Sequence, residues 1–250
     1  MTDSRHTAQR EVRVGTFRVA DLDVDSIIET IRSRTYSKFV AYALHVGGLN
    51  SRRDPRFVSA MQAGDLVYAD GQAVVALARI AGATRIERAS TTDVGVRMIE
   101  AEFERLGRPP RIAIVGGPPK LAERAGEGLL KKFSNCEISY ATHGYHTGYD
   151  SVVAELNDKD PDVLIVGMGM PREAIWVHET YTSLPKALII TCGGWLGFLA
   201  GDEARAPRWM QRYGLEWSYR LMQAPQRLFA RYARGLITVI GLIPHQVRMR

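Results

Sequence analysis

Short, almost uninterrupted apolar runs alternate with amphipathic stretches along most of this chain, and that alternation limits its fold more than any other feature. Strands are expected at Val40–Leu49, Leu66–Ala69, Arg111–Val115, Glu137–Ala141, Asp162–Val166 and Ala187–Thr191, with helical patterns at about 51–64, 72–81, 92–106, 119–133, 150–158 and 172–183. A strand apolar on both faces must be covered on both faces. The pattern therefore predicts an α/β fold, a Rossmann-like parallel sheet with helices on both sides. Val12–Val19 reads as a short strand or hairpin.

Ligands of such sheets bind beyond the carboxyl ends of the strands. This puts Gly47–Asn50, Asp70–Gly71, Gly116–Pro119, Thr142–Gly148, Gly167–Arg172 and Gly193–Gly194 on one rim. A carboxylate at a strand end, such as Asp70, is placed to take a proton from a hydroxyl, or equally to cap the helix expected at 72–81. Gly116, Gly117 and Pro118, and the second loop through Gly169 and Pro171, would let backbone approach a diphosphate; a tight strand-to-helix turn would use the same residues. The first loop is not GxGxxG, so a standard dinucleotide fingerprint is absent. His143 and His146 straddle Gly144-Tyr145 with no third metal ligand nearby, which leaves substrate contact or loop structure. Asp-x-Asp pairs occur at Asp21, Asp23 and Asp25, at a helix start, and at Asp158, Asp160 and Asp162, ahead of a strand. None falls at a strand's carboxyl end, so no metal site and no cofactor are expected.

The last fifth of the chain differs in kind. From Ala204 to Arg250 there is no Lys, one acid (Glu216) and nine Arg, at 205, 208, 212, 220, 227, 231, 234, 248 and 250. That segment carries +8 of a net charge of +6, so the remainder sits near −2. An ordinary exposed helix alternates signs. Arg beside Trp209 and Trp217 instead suits phosphate or pyrophosphate with an apolar surface behind it. Pro225 suits a helix start, after which Arg227, Arg231 and Arg234 share a face. Gly235–Pro244 would lie in a membrane interface or pack on the core as a last strand or helix.

The division expected is a disordered tail at 1–11, an α/β catalytic domain at 12–203 and an Arg-rich appendage at 204–250, hinged at Asp202–Pro207. The polar N-terminus lacks the apolar core of a signal peptide, and no run approaches a membrane span. Cys136 and Cys192 read as two buried thiols in a reducing cytoplasm. Basic charge confined beside a glycine-loop body argues against a nucleic-acid partner.

Six segments in order carry a resemblance: Tyr68–Gly71 (YADG), Glu87–Asp93 (ERASTTD), Val115–Pro119 (VGGPP), Gly144–Tyr149 (GYHTGY), Val166–Pro171 (VGMGMP), and RAPRWMQRYGLEWSYRLMQAPQRLFARY at Arg205–Tyr232. Together they resemble the WecG/TagA/CpsF glycosyltransferase family over roughly residues 12 to 235. The resemblance implies an inverting, metal-independent hexosyltransferase. It would move an N-acetylmannosamine-type sugar, or a variant amino or uronic sugar, from UDP to a polyprenyl-diphosphate-linked sugar in envelope polysaccharide synthesis. Such a protein would sit on the inner face of the cytoplasmic membrane. It implies Asp70 as catalytic base. Asn50, Gly71, Arg88, Asp93, Gly116, Gly117, Pro118, His146, Gly169, Pro171, Arg172 and Gly194 would line the UDP-sugar site. Arg205, Arg208, Arg212, Arg220, Arg227 and Arg231 would serve pyrophosphate or lipid. The oligomeric state stays open, a homo-oligomer included.

Three segments depart from the family's pattern. Gly48-Leu-Asn50 replaces Thr-x-Asn, Glu173 replaces a Gln after Pro171-Arg172, and Gly193–Phe198 (GGWLGF) lacks the Asp of GGxFDF at Gly197. The substitutions suggest a kept reaction with an altered sugar pocket, in which Glu173 is a second candidate catalytic residue. A soluble small-molecule acceptor, or a non-catalytic nucleotide- or phospholipid-binding protein, are the competing readings.

Overall fold

A two-stranded antiparallel hairpin comes first: β1 (Glu11–Val14) pairs with β2 (Phe17–Ala20) through Gly15 at φ 63°. The structure is a computed structural model describing residues 10–248. Residues 1–9 and 249–250, and the side chain of Arg227, lie outside the described residues, so Arg250 and most of the expected tail do too. That tail was expected to reach residue 11, but Glu11 already pairs with Ala20.

After α1 (Val24–Arg32) come β3 (Phe39–Leu44), α2 (Val46–Asn50), α3 (Pro55–Gln62), β4 (Leu66–Ala69), α4 (Gln72–Ile80) and α5 (Thr91–Leu106). They are followed by β5 (Arg111–Gly116), α6 (Leu121–Lys132), β6 (Glu137–Thr142), α7 (Asp150–Lys159), β7 (Val163–Gly167), α8 (Arg172–Thr180) and β8 (Leu188–Thr191). Four helices close the chain: α9 (Trp195–Leu199), α10 (Arg208–Arg212), α11 (Glu216–Gln223) and α12 (Pro225–Arg248).

The six expected strands form one parallel sheet in the order β4-β3-β8-β7-β5-β6. Its two faces carry separate cores, and β3 divides between them with period two. Val40, Tyr42 and Leu44 enter one core while Phe39, Ala41 and Ala43 enter the other. Helix starts follow local chemistry. Asp23 caps α1 by accepting from Ser26 N–H at 2.8 Å, and Asp54 caps α3 ahead of Pro55.

One strand ends earlier than its apolar run. β3 stops at Leu44 rather than 49, because the His45 imidazole caps the next turn, accepting from Gly47 N–H at 2.9 Å, and residues 46–50 coil into α2. Cys136 and Cys192 are buried and free.

Four residues of the Asp-x-Asp pairs, Asp21, Asp23, Asp25 and Asp162, have places in the framework. Asp23 and Asp25 sit in the α1 cap and first turn. Asp162 grips Arg108 at 2.7 Å at the amino end of β7, away from the rim. Asp21 is 1% exposed. Its burial alone would raise its pKa, yet the backbone N–H groups of Thr84, Arg85 and Ile86 hold it below the ordinary value. Those bonds anchor the segment that delivers Arg88.

The C-terminal segment lies along the body. The apolar stretch 235–244 is helical and continues α12, which packs on α2 and α4. Gly235 meets the Val46 side chain, and Leu242 lies over Gly15. Thr238 Oγ1 donates to Asn50 Oδ1 at 3.0 Å, and Asn50 Nδ2 donates to the Arg231 carbonyl at 3.1 Å. Gln246 is fully buried; with its amide oriented by the hydrogen-bond network, its nitrogen donates to Arg13 O at 2.6 Å and its oxygen accepts from Gly15 N–H at 3.0 Å. Residues 202–207, expected as a hinge, lack regular structure and are pinned by Asp202 to Arg124 and by Arg205 to Asp93.

Candidate active site at the carboxyl rim of the sheet

Asp70 follows β4 at the rim. Gly71, at φ 147°, takes the N-cap position of α4. Asp70 is thus freed from the capping role that spacing alone allowed, and its Oδ2 accepts from Thr91 Oγ1 at 3.3 Å. Thr91 is in turn in hydrogen-bond contact with the buried Tyr68 hydroxyl at 2.9 Å. One relay, Tyr68–Thr91–Asp70, fixes the carboxylate. Burial pushes the Asp70 carboxyl above its ordinary pKa, opposed by the Ser90 hydroxyl and the charges of Arg220 and Arg88.

Arg220 comes from α11, 150 residues later in the chain. It passes so close to Gly194 that a Cβ there would stand 2.6 Å from its terminal nitrogen, so Gly194 makes room for it. Its guanidinium also lies 5.2 Å above the Phe198 ring. Arg220 and Arg231 both act on His45, whose pKa falls to about 4, first by burial and then by these two charges. His45 is therefore neutral at ordinary pH. Its Nδ1 accepts from Gly47, which leaves the proton on Nε2. Sequence reasoning passed over His45. A titratable side chain directly after a rim strand was the available signal.

Glu173 lies buried beneath the rim. Its side chain is 1% exposed, and Oε2 accepts from Gly169 N–H at 2.8 Å and Gly193 N–H at 3.2 Å. The carboxyl thus straps the β7–α8 loop to the β8–α9 loop behind the rim. Burial raises its pKa to about 7, with Asp70 adding to the rise.

Arg88 and Asp93 belong to a four-membered ring of charges. Arg88 pairs with Asp93 (3.2 Å) and Glu216, and Arg205 pairs with Asp93 and Glu216 (3.2 Å). The ring ties the start of α5 to the C-terminal helices. Glu216→Ala should cost about 1 kcal/mol, because the pairs are partly exposed and screened. The expected sign is faster cleavage at 202–207 in limited proteolysis, with the difference from wild type narrowing as salt screens the wild-type pairs.

The glycine loops meet in a tight floor. Gly116 stands at φ 158°, where an added Cβ would strike the Gly167 backbone, and Gly117 N–H donates to Gly167 O at 3.0 Å. Pro118 lies in the turn before α6, which starts at Leu121, not directly at the glycines. The Met170–Pro171 peptide is cis. Arg172 donates to Gly144 O at 2.8 Å and lies 5.2 Å from the Tyr145 ring centre. His146 stacks on His143 at 4.1 Å. Asn50 is engaged with α12, as above, and Arg208, Arg212 and Arg231 are exposed on the C-terminal helices. Among the described residues no group of three or more His, Cys, Asp or Glu side chains could hold a metal ion.

A partly buried carboxylate, glycine loops and arginines gather at the carboxyl rim of a parallel sheet, the architecture of a Rossmann-like enzyme. The chain belongs to the glycosyl transferase WecG/TagA/CpsF family, whose model matches residues 12–250. Its relatives include two proteins named N-acetylglucosaminyldiphosphoundecaprenol N-acetyl-beta-D-mannosaminyltransferase. The one from Bacillus spizizenii is 23% identical over 204 residues, covering 82% of this chain and 78% of the relative. The one from Bacillus subtilis is 25% identical over 175 residues, covering 70% and 67%.

Proposed function

We propose that this chain is an inverting glycosyltransferase that moves an N-acetylmannosamine-type sugar from UDP to a polyprenyl-diphosphate-linked sugar. The observation that carries the reading is Asp70, held by Thr91 at a strand end and within electrostatic range of Arg88 and Arg220. The acceptor hydroxyl oxygen bonds to the anomeric carbon as the bond from that carbon to the diphosphate oxygen breaks. The acceptor proton passes to Asp70, and the electron pair leaves with UDP. No metal is needed in this scheme: Arg220, Arg231 and the Nε2–H of neutral His45 meet the leaving charge. The relatives' names, each specifying an undecaprenol-linked acceptor, support the same reading.

The surface of α12 fits a lipid acceptor. Among the described residues no helix is long and apolar enough to cross a membrane. Yet Phe229, Leu236, Ile237, Ile240, Ile243 and Val247 are exposed on α12, on the side turned away from the body, with Arg234 exposed on the same helix. An amphipathic helix of this kind rests in the headgroup region of an anionic leaflet, here the inner face of the cytoplasmic membrane. Replacing Leu236 and Ile237 by Ser should weaken sedimentation with anionic vesicles about tenfold or more, since each buried apolar side chain contributes about 1.5–3 kcal/mol. Unchanged sedimentation would contradict the docking.

The test of the reaction is UDP release from a panel of UDP-N-acetylhexosamines, with and without a short-chain polyprenyl-diphosphate-linked N-acetylglucosamine. Release that requires the acceptor supports transfer. Release that ignores it, or that occurs equally with a soluble sugar, would point away from the lipid acceptor.

A further inference from the structure

Gly197 lies in α9, and its carbonyl accepts the N–H groups of Asp202 (2.9 Å) and Glu203 (3.2 Å). That double bond folds residues 198–203 back over the helix. It brings the Glu203 side chain into the space that a side chain on residue 197 would occupy: a Cβ there would stand 3.3 Å from Cγ, Cδ and Oε1 of Glu203. Glu203 Oε2 faces Arg220 at 3.3 Å, with the Glu203 side chain only 19% exposed. Phe198 lies against the same guanidinium at 5.2 Å. Arg220 Nε is buried with no hydrogen-bond partner, so the carboxylate of Glu203 and the ring of Phe198 are what hold this arginine from its own side of the rim.

We infer that Glu203 is a positioning residue for the transfer site: its carboxylate reaches through the gap left by Gly197 and holds Arg220 at the rim beside Asp70. The acid missing from position 197 of the GGWLGF segment is thus supplied from six residues downstream. Gly197 and Glu203 work as one unit, and neither can change alone without disturbing Arg220. This rests on the rim being the nucleotide-sugar site. It goes further by assigning a role to a residue in none of the six motifs and a reason for the glycine.

The test is a double-mutant cycle on the full chain: Gly197→Asp, Glu203→Ala and the two together, with Arg220→Ala as the reference for a lost arginine. UDP affinity by titration calorimetry, KM and kcat for donor, and the melting temperature are read for each. Glu203→Ala should weaken UDP binding and raise KM about five- to tenfold, toward the Arg220→Ala value, with little change in melting temperature. Gly197→Asp alone should also lose affinity, because the new carboxylate crowds Glu203. The double variant, with space and one carboxylate restored, should return to within about threefold of wild type. Single effects that simply add, or a Glu203→Ala variant that binds UDP like wild type while Arg220→Ala does not, would overturn the inference.

The NMR titration of His45 is a readout independent of nucleotide. If Arg220 swings away in Glu203→Ala, the His45 pKa rises from about 4 despite the loss of a neighbouring negative charge. If it falls or stays, Arg220 has not moved. A wild-type protein that binds no UDP would defeat the transfer reading. The His45 titration would still decide whether Glu203 holds Arg220.

Discussion

Asp70→Asn should lower kcat by about 10²- to 10⁴-fold, the range expected when a general base is removed, while UDP affinity stays within about twofold of wild type. The asparagine keeps the shape, and its carbonyl oxygen can still accept from Thr91 Oγ1, so the Tyr68–Thr91 relay survives. What is lost is the ability to take the acceptor proton. The base acts only when ionised, and burial has raised its pKa above the ordinary value. The wild-type rate should therefore climb as pH rises through that elevated pKa and then level off. The variant should show neither the rate nor that limb of the profile. A pH series of initial rates, with melting curves to show that the fold is intact, checks both. Near-wild-type turnover in the variant would remove Asp70 from the mechanism.

Glu173→Gln is the second large effect, and it appears in stability. The Glu173 carboxyl titrates at about 7 in the fold, against 4.5 ordinarily. Between these values the folded chain keeps a proton that the unfolded chain releases, so this group's contribution is complete below 4.5 and lost as pH rises toward 7. The loss is about 3 kcal/mol. His45 has the opposite sign. Its folded pKa of about 4 lies below the ordinary 6.5, so the unfolded chain binds the extra proton and stability grows from pH 4 to 6.5 by a similar amount. In wild type the two slopes largely offset one another. Glutamine does not titrate, and because both loop N–H bonds converge on Oε2, its single carbonyl oxygen can receive them. The variant should therefore gain about 3 kcal/mol relative to wild type between pH 4.5 and 7, uncovering the His45 slope. Urea denaturation at several pH values measures this directly. Parallel curves for the two proteins would show that Glu173 does not carry the buried charge described.

The strands were legible because burial on both sheet faces leaves no room for polar residues, and Leu66–Ala69 was read to the residue. The end of β3 was not. The apolar run continues through Val46 to Leu49, and only the folded backbone shows His45 capping the next turn. Asp70 was legible as a carboxylate at a strand end, but that Gly71 rather than Asp70 takes the cap position of α4 needed the folded backbone. Glu173 stood out as a titratable residue in a motif loop, but the burial of its carboxyl behind two loops leaves no trace in local sequence. Asn50 and Arg88 show the same limit at long range. Their partners Arg231 and Glu216 lie 181 and 128 residues away, so what looked like open pocket residues help dock the C-terminal helices. The arginine excess after residue 204 was visible at once. Which arginine reaches the rim was not, because that depends on Gly194 and Phe198 leaving a path for Arg220.

The most direct test of the whole account is transfer itself: labelled N-acetylhexosamine from a UDP donor, offered with a polyprenyl-diphosphate-linked N-acetylglucosamine, followed by organic extraction. The account predicts label in the lipid phase that needs the acceptor, needs no added divalent ion and vanishes in Asp70→Asn. Label that stays in the aqueous phase with every UDP-N-acetylhexosamine, from a protein that nevertheless binds UDP, would contradict it.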